Sequence, residues 1–323
     1  MNNEILLKIE DLYVNFRTDE GIAKVIDGIS LSIRYGEVLA LMGETGCGKS
    51  TVAKSILRLL PKNAEVRGKI LFKGTNLLDL PESELRKIRG KEIGMIFQEP
   101  LTALNPVFTI GNQMSEMFKI HKLRIKRTIQ EEVIELLKNV RIPDPQRRYY
   151  SYPFELSGGM RQRVMIAMML AGRPSLLIAD EPTSALDVTI QAQILKLLMD
   201  LRNKYNMSIL IITHDPGVVA EMADRVAIMY AGQIAEVGPV RDIFLNPQHP
   251  YTRGLLRALP LGHKEERELE NIPGRVPNLI NPPPGCRFHP RCPYAMERCR
   301  KVKPKPVVIS DEHYVFCHLL GGE

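Results

Sequence analysis

From residue 5 to about 245, short apolar runs rich in β-branched residues alternate with longer stretches whose apolar positions recur at helical spacing. Val38–Met42, Ile93–Phe97, Leu176–Ala179 and Ile209–Ile212 are too short for most helices and read as strands buried on both faces. Helical spacing covers Val52–Leu60, Arg161–Leu170 and Thr189–Lys204; in the last, Ile190, Ile194, Leu197, Leu198 and Leu201 share one face. Strands alternating with helices predict a largely parallel sheet covered by helices. Phe108 to about Val140 carries no strand signal and reads as a helical insertion. Near the N-terminus, Lys8–Phe16 and Ile29–Ile33 alternate as in an antiparallel sheet.

The pattern changes after about Pro260. Nine prolines fall between Pro273 and Pro306, so no long helix is expected there. Four of the five cysteines lie between Cys286 and Cys317. This stretch reads as a small, loop-rich unit with too little apolar core to order itself without a staple.

Composition adds limits. Of 323 residues, 44% are hydrophobic and 25% charged, which excludes a disordered or fibrous chain. The net charge of +7 is compatible with a nucleic-acid or membrane-surface partner but does not require one. No stretch approaches the roughly 18 apolar residues of a membrane span. The start, Met1-Asn2-Asn3-Glu4, lacks the features of an export signal, so a cytoplasmic chain with reduced cysteines is expected.

Gly43-Glu44-Thr45-Gly46-Cys47-Gly48-Lys49-Ser50-Thr51 stands between a strand and a helix, the setting of a P-loop. Its glycines let backbone N–H groups point at phosphates, and the helix start adds partial positive charge. Lys49 is expected to reach the β- and γ-phosphates and Ser50 to ligate Mg²⁺. Leu176–Ala179 runs into Asp180-Glu181. Asp180 suits a Walker-B acid holding Mg²⁺, and Glu181 suits a general base facing the attacking water. Ser157-Gly158-Gly159, before the Arg161–Leu170 helix, is a second anion-binding helix start.

The P-loop, Gln98, Leu156–Met160, Asp180-Glu181, Ser184-Ala185-Leu186-Asp187 and Thr213-His214-Asp215 appear in an order and spacing that resemble the nucleotide-binding subunit of an ABC transporter, from about residue 5 to 240. The resemblance implies an α/β fold: an ABC-type P-loop ATPase with a RecA-like parallel core, an N-terminal antiparallel β-subdomain and a helical subdomain. It also implies two such subunits sandwiching two ATPs, each ATP between one P-loop and the other subunit's Ser157-Gly158-Gly159. On this resemblance Gln98 contacts Mg²⁺ and the attacking water, Asp187 communicates across the dimer and His214 contacts the γ-phosphate. An aromatic stacks on adenine; Phe16 holds the matching place, with Tyr13 the other choice.

Phe97–Pro106, Tyr152-Pro153, Arg161–Ala167, Asn246–Thr252 and Pro282–Pro293 resemble the dipeptide/oligopeptide importer branch. Phe154 departs from it, since that branch more often has His there. The branch implies a subunit that powers import of di- or oligopeptides, or of nickel, glutathione or a similar solute. Implied partners are a second ATPase subunit, usually a different chain, two membrane permeases and an extracellular peptide-binding protein. Implied placement is peripheral, on the cytoplasmic face of the membrane. A soluble ABC ATPase acting on nucleic acid is the rival reading, but it would carry two ATPase units or long coiled coils. The expected organisation is an ATPase over 1–260, with its helical subdomain at about 100–172, and a Cys-rich, loop-rich extension over 261–323.

Cys286, Cys292, Cys299 and Cys317 are separated by five, six and seventeen residues. Zinc knuckles prefer shorter first gaps. Four thiolates and a Cys292-Pro293 pair suit a 4Fe–4S cluster. Arg287, Arg291, Arg298, Arg300, Lys301, Lys303 and Lys305 against Glu297 would stabilise an anionic cluster, or form a solvated basic run. Zn²⁺, with His289, His313 or His318 replacing a thiolate, and free thiols or disulfides remain alternatives. Cys47 belongs to the P-loop. The extension reads either as a structural staple or as a redox- or iron-sensing module that gates the ATPase.

Overall fold

The computed structural model describes residues 4–98, 103–123, 125, 127–184, 186–258 and 272–321. Glu99–Thr102 of the Gln98 loop and the boundary expected at 260/261 lie outside the described residues. The chain forms two units. One is drawn from Met1–Leu6, Arg34–Glu37 and Asp79–Ile212, the other from Leu7–Ile33, Val38–Leu78 and Thr213–Glu323.

In the first unit the strands Ile93–Ile96, Leu176–Asp180 and Ser208–Thr213 run parallel, with Ile93 opposite Leu176 and Asp180 opposite Ile212. Every residue of these strands is buried, as expected of parallel strands covered on both faces. The helix Val188–Tyr205 buries Ile194, Leu197, Leu198 and Leu201, four of the five residues that share its apolar face. The expected helical segment is present as Ile110–Ile120, Ile129–Asn139 and Pro145–Tyr150, leading to Gly158–Leu170. Thr109 and Thr128 cap the first two helices by accepting from Asn112 and Glu131 backbone N–H groups, and Glu131 completes a capping box.

In the second unit Val38–Met42 pairs in parallel with Arg225–Tyr230. Gln233–Pro239 then adds antiparallel, followed by His313–Val315 and Val307–Ser310. A separate four-stranded sheet takes the order Gly21–Arg34, Ile5–Thr18, Ala64–Phe72, Thr75–Asn76. It is the expected N-terminal β-layer.

The Cys-rich stretch does not stand apart from this second unit. His313–Val315 pairs with Gln233–Pro239, so the far end of the chain is part of a sheet that also contains the strand leading into the P-loop. Phe288 is buried against Tyr230 and Tyr251, with ring centroids at 5.1 and 5.3 Å. Arg287 is also buried. It donates to the Lys24 and Ala231 carbonyls and lies 3.8 Å from the Asp27 carboxylate, while Lys303 donates to the Asp27 carbonyl. Of the seven basic residues, Arg287 is a buried anchor and Arg291 a half-buried one, whereas Arg298, Arg300, Lys301 and Lys305 are exposed. No helix among the described residues of 272–321 is longer than Glu297–Lys301, in line with the proline density.

Candidate active site

The P-loop follows the buried strand Val38–Met42 and feeds the helix Lys49–Ile56. That helix starts three residues before the apolar spacing suggests. Its N-cap is Gly48 in a left-handed conformation, φ 104°, with no side-chain cap to mark it in the sequence. It ends at Ile56, two residues before Arg58 takes a left-handed φ of 51°. A side chain at Gly48 would be strained by this backbone conformation, and its Cβ would crowd Ile26 Cδ1 at 2.8 Å and Met229 Cε at 2.9 Å. Gly46, also at positive φ, has open space around it.

Lys49 is buried, with 6% of its surface exposed, and its Nζ donates to the Gly43 and Glu44 carbonyls at 2.7 and 3.0 Å. Both acceptors are neutral. The first turn of its helix holds no acidic residue. A buried ammonium beside exposed positive helix-end dipoles is the electrostatics of an anion site, and a phosphate group fits it. Cys47 is fully buried, and burial pushes its thiol up, so it behaves as a small apolar filler.

Glu44 is more constrained than a phosphate-cradling loop residue needs to be. Its N–H donates to Tyr251 Oη at 3.1 Å, and its carboxylate accepts from Arg291 Nη1 at 2.9 Å. Both partners lie in segments that resemble the importer branch, Asn246–Thr252 and Pro282–Pro293, but their contact with Glu44 is not marked in the sequence because they are distant in the chain. Phe16 pairs across the β-layer with Ala64 and is half-buried, so it is not a core residue. Tyr13 is exposed, but Lys303 Nζ lies 5.7 Å from its ring centroid, so its face is already engaged. His214 is exposed directly after the strand Ser208–Thr213. The next residue, Asp215, caps the helix Pro216–Met222 by accepting from Gly217 N–H at 2.7 Å.

In the other unit the strand Leu176–Asp180 ends with Asp180 buried and Glu181 at a left-handed φ of 47°. That backbone is uncommon for a residue with a Cβ. It is held by Glu181 N–H donating to the Ile212 carbonyl at 2.9 Å and by Ser184 Oγ donating to the Glu181 carbonyl at 3.0 Å. The turned backbone brings the Glu181 carboxylate to Gln98, whose Nε2 donates to Oε2 at 2.9 Å. Ser184 Oγ also reaches the Gln98 carbonyl at 3.1 Å. Gln98, Glu181 and Ser184 thus form one connected group, with Gln98 exposed.

Ser157 is exposed and caps the helix Gly158–Leu170 by accepting from Met160 N–H at 3.3 Å. The helix therefore starts at Gly158, inside the motif. Gly159 permits close packing: a Cβ there would stand 2.8 Å from Ile190 Cγ2. Gln162, one turn on, donates to the Pro182 carbonyl at 2.7 Å and ties this helix to the segment after Glu181. Asp187 is exposed and caps Val188–Tyr205 by accepting from Ile190 N–H at 2.9 Å.

The four C-terminal cysteines converge. Cys286, Cys292, Cys299 and Cys317 line one small cavity, together with His249, Phe288 and others. None forms a disulfide, which removes that alternative. Burial pushes the Cys286 thiol up to about 12, and it raises Cys292 and Cys317 as well. His289 and His318 reach the cavity wall but are tied to the Cys286 and Val302 carbonyls at 2.9 Å each. His313, named for the zinc alternative, instead pairs with buried Glu236 at 2.7 Å. Among the described residues, no three His, Cys, Asp or Glu side chains are gathered closely enough to hold one metal ion.

Comparison with known proteins places this geometry. Residues 26–184 match the family model of the ABC transporter, and residues 235–299 match that of the oligopeptide/dipeptide transporter C-terminal region. The dipeptide transport ATP-binding protein DppD of Bacillus subtilis is 50% identical, covering 98% of this chain and 95% of its own. The chain belongs to the ATP-binding subunits of the dipeptide/oligopeptide ABC transporter family. The oligopeptide transport ATP-binding protein OppD of Salmonella typhimurium is 48% identical over 93% of this chain and 90% of its own. Among solved structures, a dimeric ATP-binding cassette in a post-hydrolysis state, bound to ADP and Pi, superposes with a TM-score of 0.64. It is 29% identical and covers 73% of this chain and 99% of its own. As a member of this family the chain is an ABC-type ATPase, with the ABC ATPase fold expected of it. No helix among the described residues is long and apolar enough to cross a membrane.

Proposed function

We propose that this chain is the ATP-hydrolysing subunit of an importer of dipeptides or oligopeptides. It works at the cytoplasmic face of the membrane, paired with a second ATPase subunit on two permeases and fed by an extracellular peptide-binding protein. The peptide class is supported by relatives about half identical over nearly the whole chain, C-terminal region included. The observation that carries the ATPase reading is Lys49, a buried ammonium whose two carbonyl partners leave its charge for an anion.

Lys49 and the loop of Gly43, Glu44, Thr45, Gly46, Cys47, Gly48 and Thr51 bind the phosphates, and Phe16 stacks on adenine. Ser50, Asp180 and Gln98 are the residues that hold Mg²⁺. When bound, that ion neutralises charge developing on the transferring phosphoryl group. Glu181 takes a proton from the attacking water, with Gln98 fixing the direction of its carboxylate. His214 contacts the γ-phosphate. Ser157, Gly158 and Gly159 serve the ATP of the opposite subunit, and the solvent exposure of Ser157 and Gly158 suits that use. Asp187 communicates across the dimer.

A 4Fe–4S cluster on Cys286, Cys292, Cys299 and Cys317 is the reading favoured for the extension, with Zn²⁺ the alternative. Zinc needs its ligands about 2.0–2.3 Å from one point. Among the described residues no three of these side chains are gathered to hold one ion as they stand, and the support for a cluster is that four free thiols line one cavity. When bound, the cluster cross-links a segment poor in apolar core.

The test is ATP turnover by the full chain in a reconstituted transporter. Stimulation by peptides in the presence of the extracellular binding protein supports the reading. Stimulation only by nickel or glutathione would move the subunit to a neighbouring importer class. Turnover that persists in Lys49→Ala would remove the P-loop from the chemistry.

A further inference from the structure

The loop residue Glu44 is gripped from the far end of the chain. Its carbonyl accepts from Lys49 Nζ, its N–H donates to Tyr251 Oη, and its carboxylate accepts from Arg291 Nη1. A carboxylate in a loop that binds triphosphate would repel the ligand unless neutralised. Arg291 supplies the opposite charge from a fixed position. Its Nε donates to the Pro273 carbonyl at 2.9 Å and its Nη2 to the Ile272 carbonyl at 3.1 Å. The guanidinium also lies 5.7 Å from the Tyr230 ring centroid, and the Arg291 side chain is only 8% exposed. Tyr251 is equally fixed: it is fully buried, with Tyr230 and Phe288 against its ring.

Both anchors adjoin the wall of the four-cysteine cavity in the chain without lining it. Arg291 directly precedes Cys292, and Tyr251 directly follows His249 and Pro250, which line the cavity with Phe288. Order in that wall is thus order in the two groups that hold Glu44.

We propose that Arg291 is a positioning residue for nucleotide binding, which neutralises and orients the P-loop through Glu44 and couples it to the four-cysteine segment. The inference rests on the reading of the P-loop as the ATP site. Removing Arg291 leaves the Glu44 carboxylate unpaired beside the phosphates and the loop free to turn. Removing both charges leaves neither defect in full. A mere packing role for Arg291 gives no such recovery.

The experiment measures MgATP binding by calorimetry on the full chain, together with KM and kcat. Arg291→Met is expected to weaken binding and raise KM about tenfold, the scale of one charge-assisted hydrogen bond, with kcat changed less than about twofold. Arg291→Gln, a smaller lesion, is expected to act alike and serves if Arg291→Met does not fold. Glu44→Gln alone, a change in the binding loop itself, is expected to weaken binding less than the Arg291 variants do, and Glu44→Gln combined with either Arg291 variant is expected to recover to about the level of Glu44→Gln alone. Unchanged affinity in the Arg291 variants overturns the proposal. So does a double variant as weak as the Arg291 variant alone. Lys49→Ala separates the underlying reading: if it binds MgATP normally, the P-loop assignment fails, whatever Arg291 does.

Discussion

Gln98 Nε2 donates to Glu181 Oε2 at 2.9 Å, and Ser184 Oγ bonds to the carbonyls of both residues. A neutral amide donor orients the carboxylate without cancelling its negative charge. Glu181 reaches this arrangement through a left-handed backbone at the end of a buried strand. Such a conformation costs energy and persists only where its surroundings enforce it.

Glu181→Gln is therefore expected to keep ATP binding while lowering hydrolysis by about 10² or more, the usual worth of general-base assistance. The variant should accumulate as an ATP-bound dimer, seen by size-exclusion chromatography with ATP. Gln98→Ala should lower kcat without abolishing binding, since it removes the group that directs the carboxylate and one of the three Mg²⁺ contacts but leaves the P-loop intact. Near-normal turnover in Glu181→Gln would take Glu181 out of its role.

The helix start at Ser157 makes a second expectation. Gly159→Ala places a methyl where Ile190 Cγ2 already stands, 2.8 Å from the built Cβ. Overpacking of this kind costs about 1–3 kcal/mol and here displaces the exposed Ser157-Gly158 edge. Thermal unfolding should show a lower Tm, and ATP turnover should fall with it. Ile190→Ala in the same chain should restore the Tm if steric crowding is the cause. A variant with unchanged Tm and turnover would show that the helices give way freely.

Phe16 is half-buried in the β-layer, and the face of its rival Tyr13 is engaged by Lys303. Phe16→Ala should weaken ATP and GTP binding alike, because a ring face stacks on any base without reading its edge. Binding measured for both nucleotides, alongside a melting curve, decides the matter. A lowered Tm with unaltered affinity would assign Phe16 to packing alone.

Much of this was legible in local sequence because the signals were local. Val38–Met42 forms a strand at the bounds its apolar run indicates, and Asp180 stands at a strand end as its run requires. The helix after the P-loop was misjudged by three residues, since its first turn is Lys-Ser-Thr and its cap is a glycine without a side chain. Val307–Ser310 and His313–Val315 were missed altogether. They are short, and their pairing depends on Gln233–Pro239, some seventy residues upstream. The Arg291–Glu44 bond joins residues 247 apart, and no periodicity or spacing encodes such a contact. The same contact ties the extension, expected as a separate loop-rich unit over 261–323, to the P-loop itself.

The last expectation concerns the four cysteines. They are free thiols lining one cavity, and burial raises Cys286, Cys292 and Cys317 in the absence of a ligand. Metal binding must displace those protons, so it is favourable only if the bonds formed are strong, as thiolate–iron bonds are. Protein purified without oxygen should be brown and carry roughly four irons and four sulfides per chain. Replacing any one of Cys286, Cys292, Cys299 or Cys317 by Ser should bleach it. Because Arg291 adjoins Cys292 and Tyr251 adjoins the cavity wall, each bleached variant should also bind MgATP more weakly, a change read by calorimetry and independent of turnover. Glu181→Gln should leave the colour untouched, since that residue belongs to the other unit. One zinc and no iron in anaerobic protein would replace the cluster by a zinc site, and bleached variants with full nucleotide affinity would leave the cysteines a staple with no reach to the P-loop.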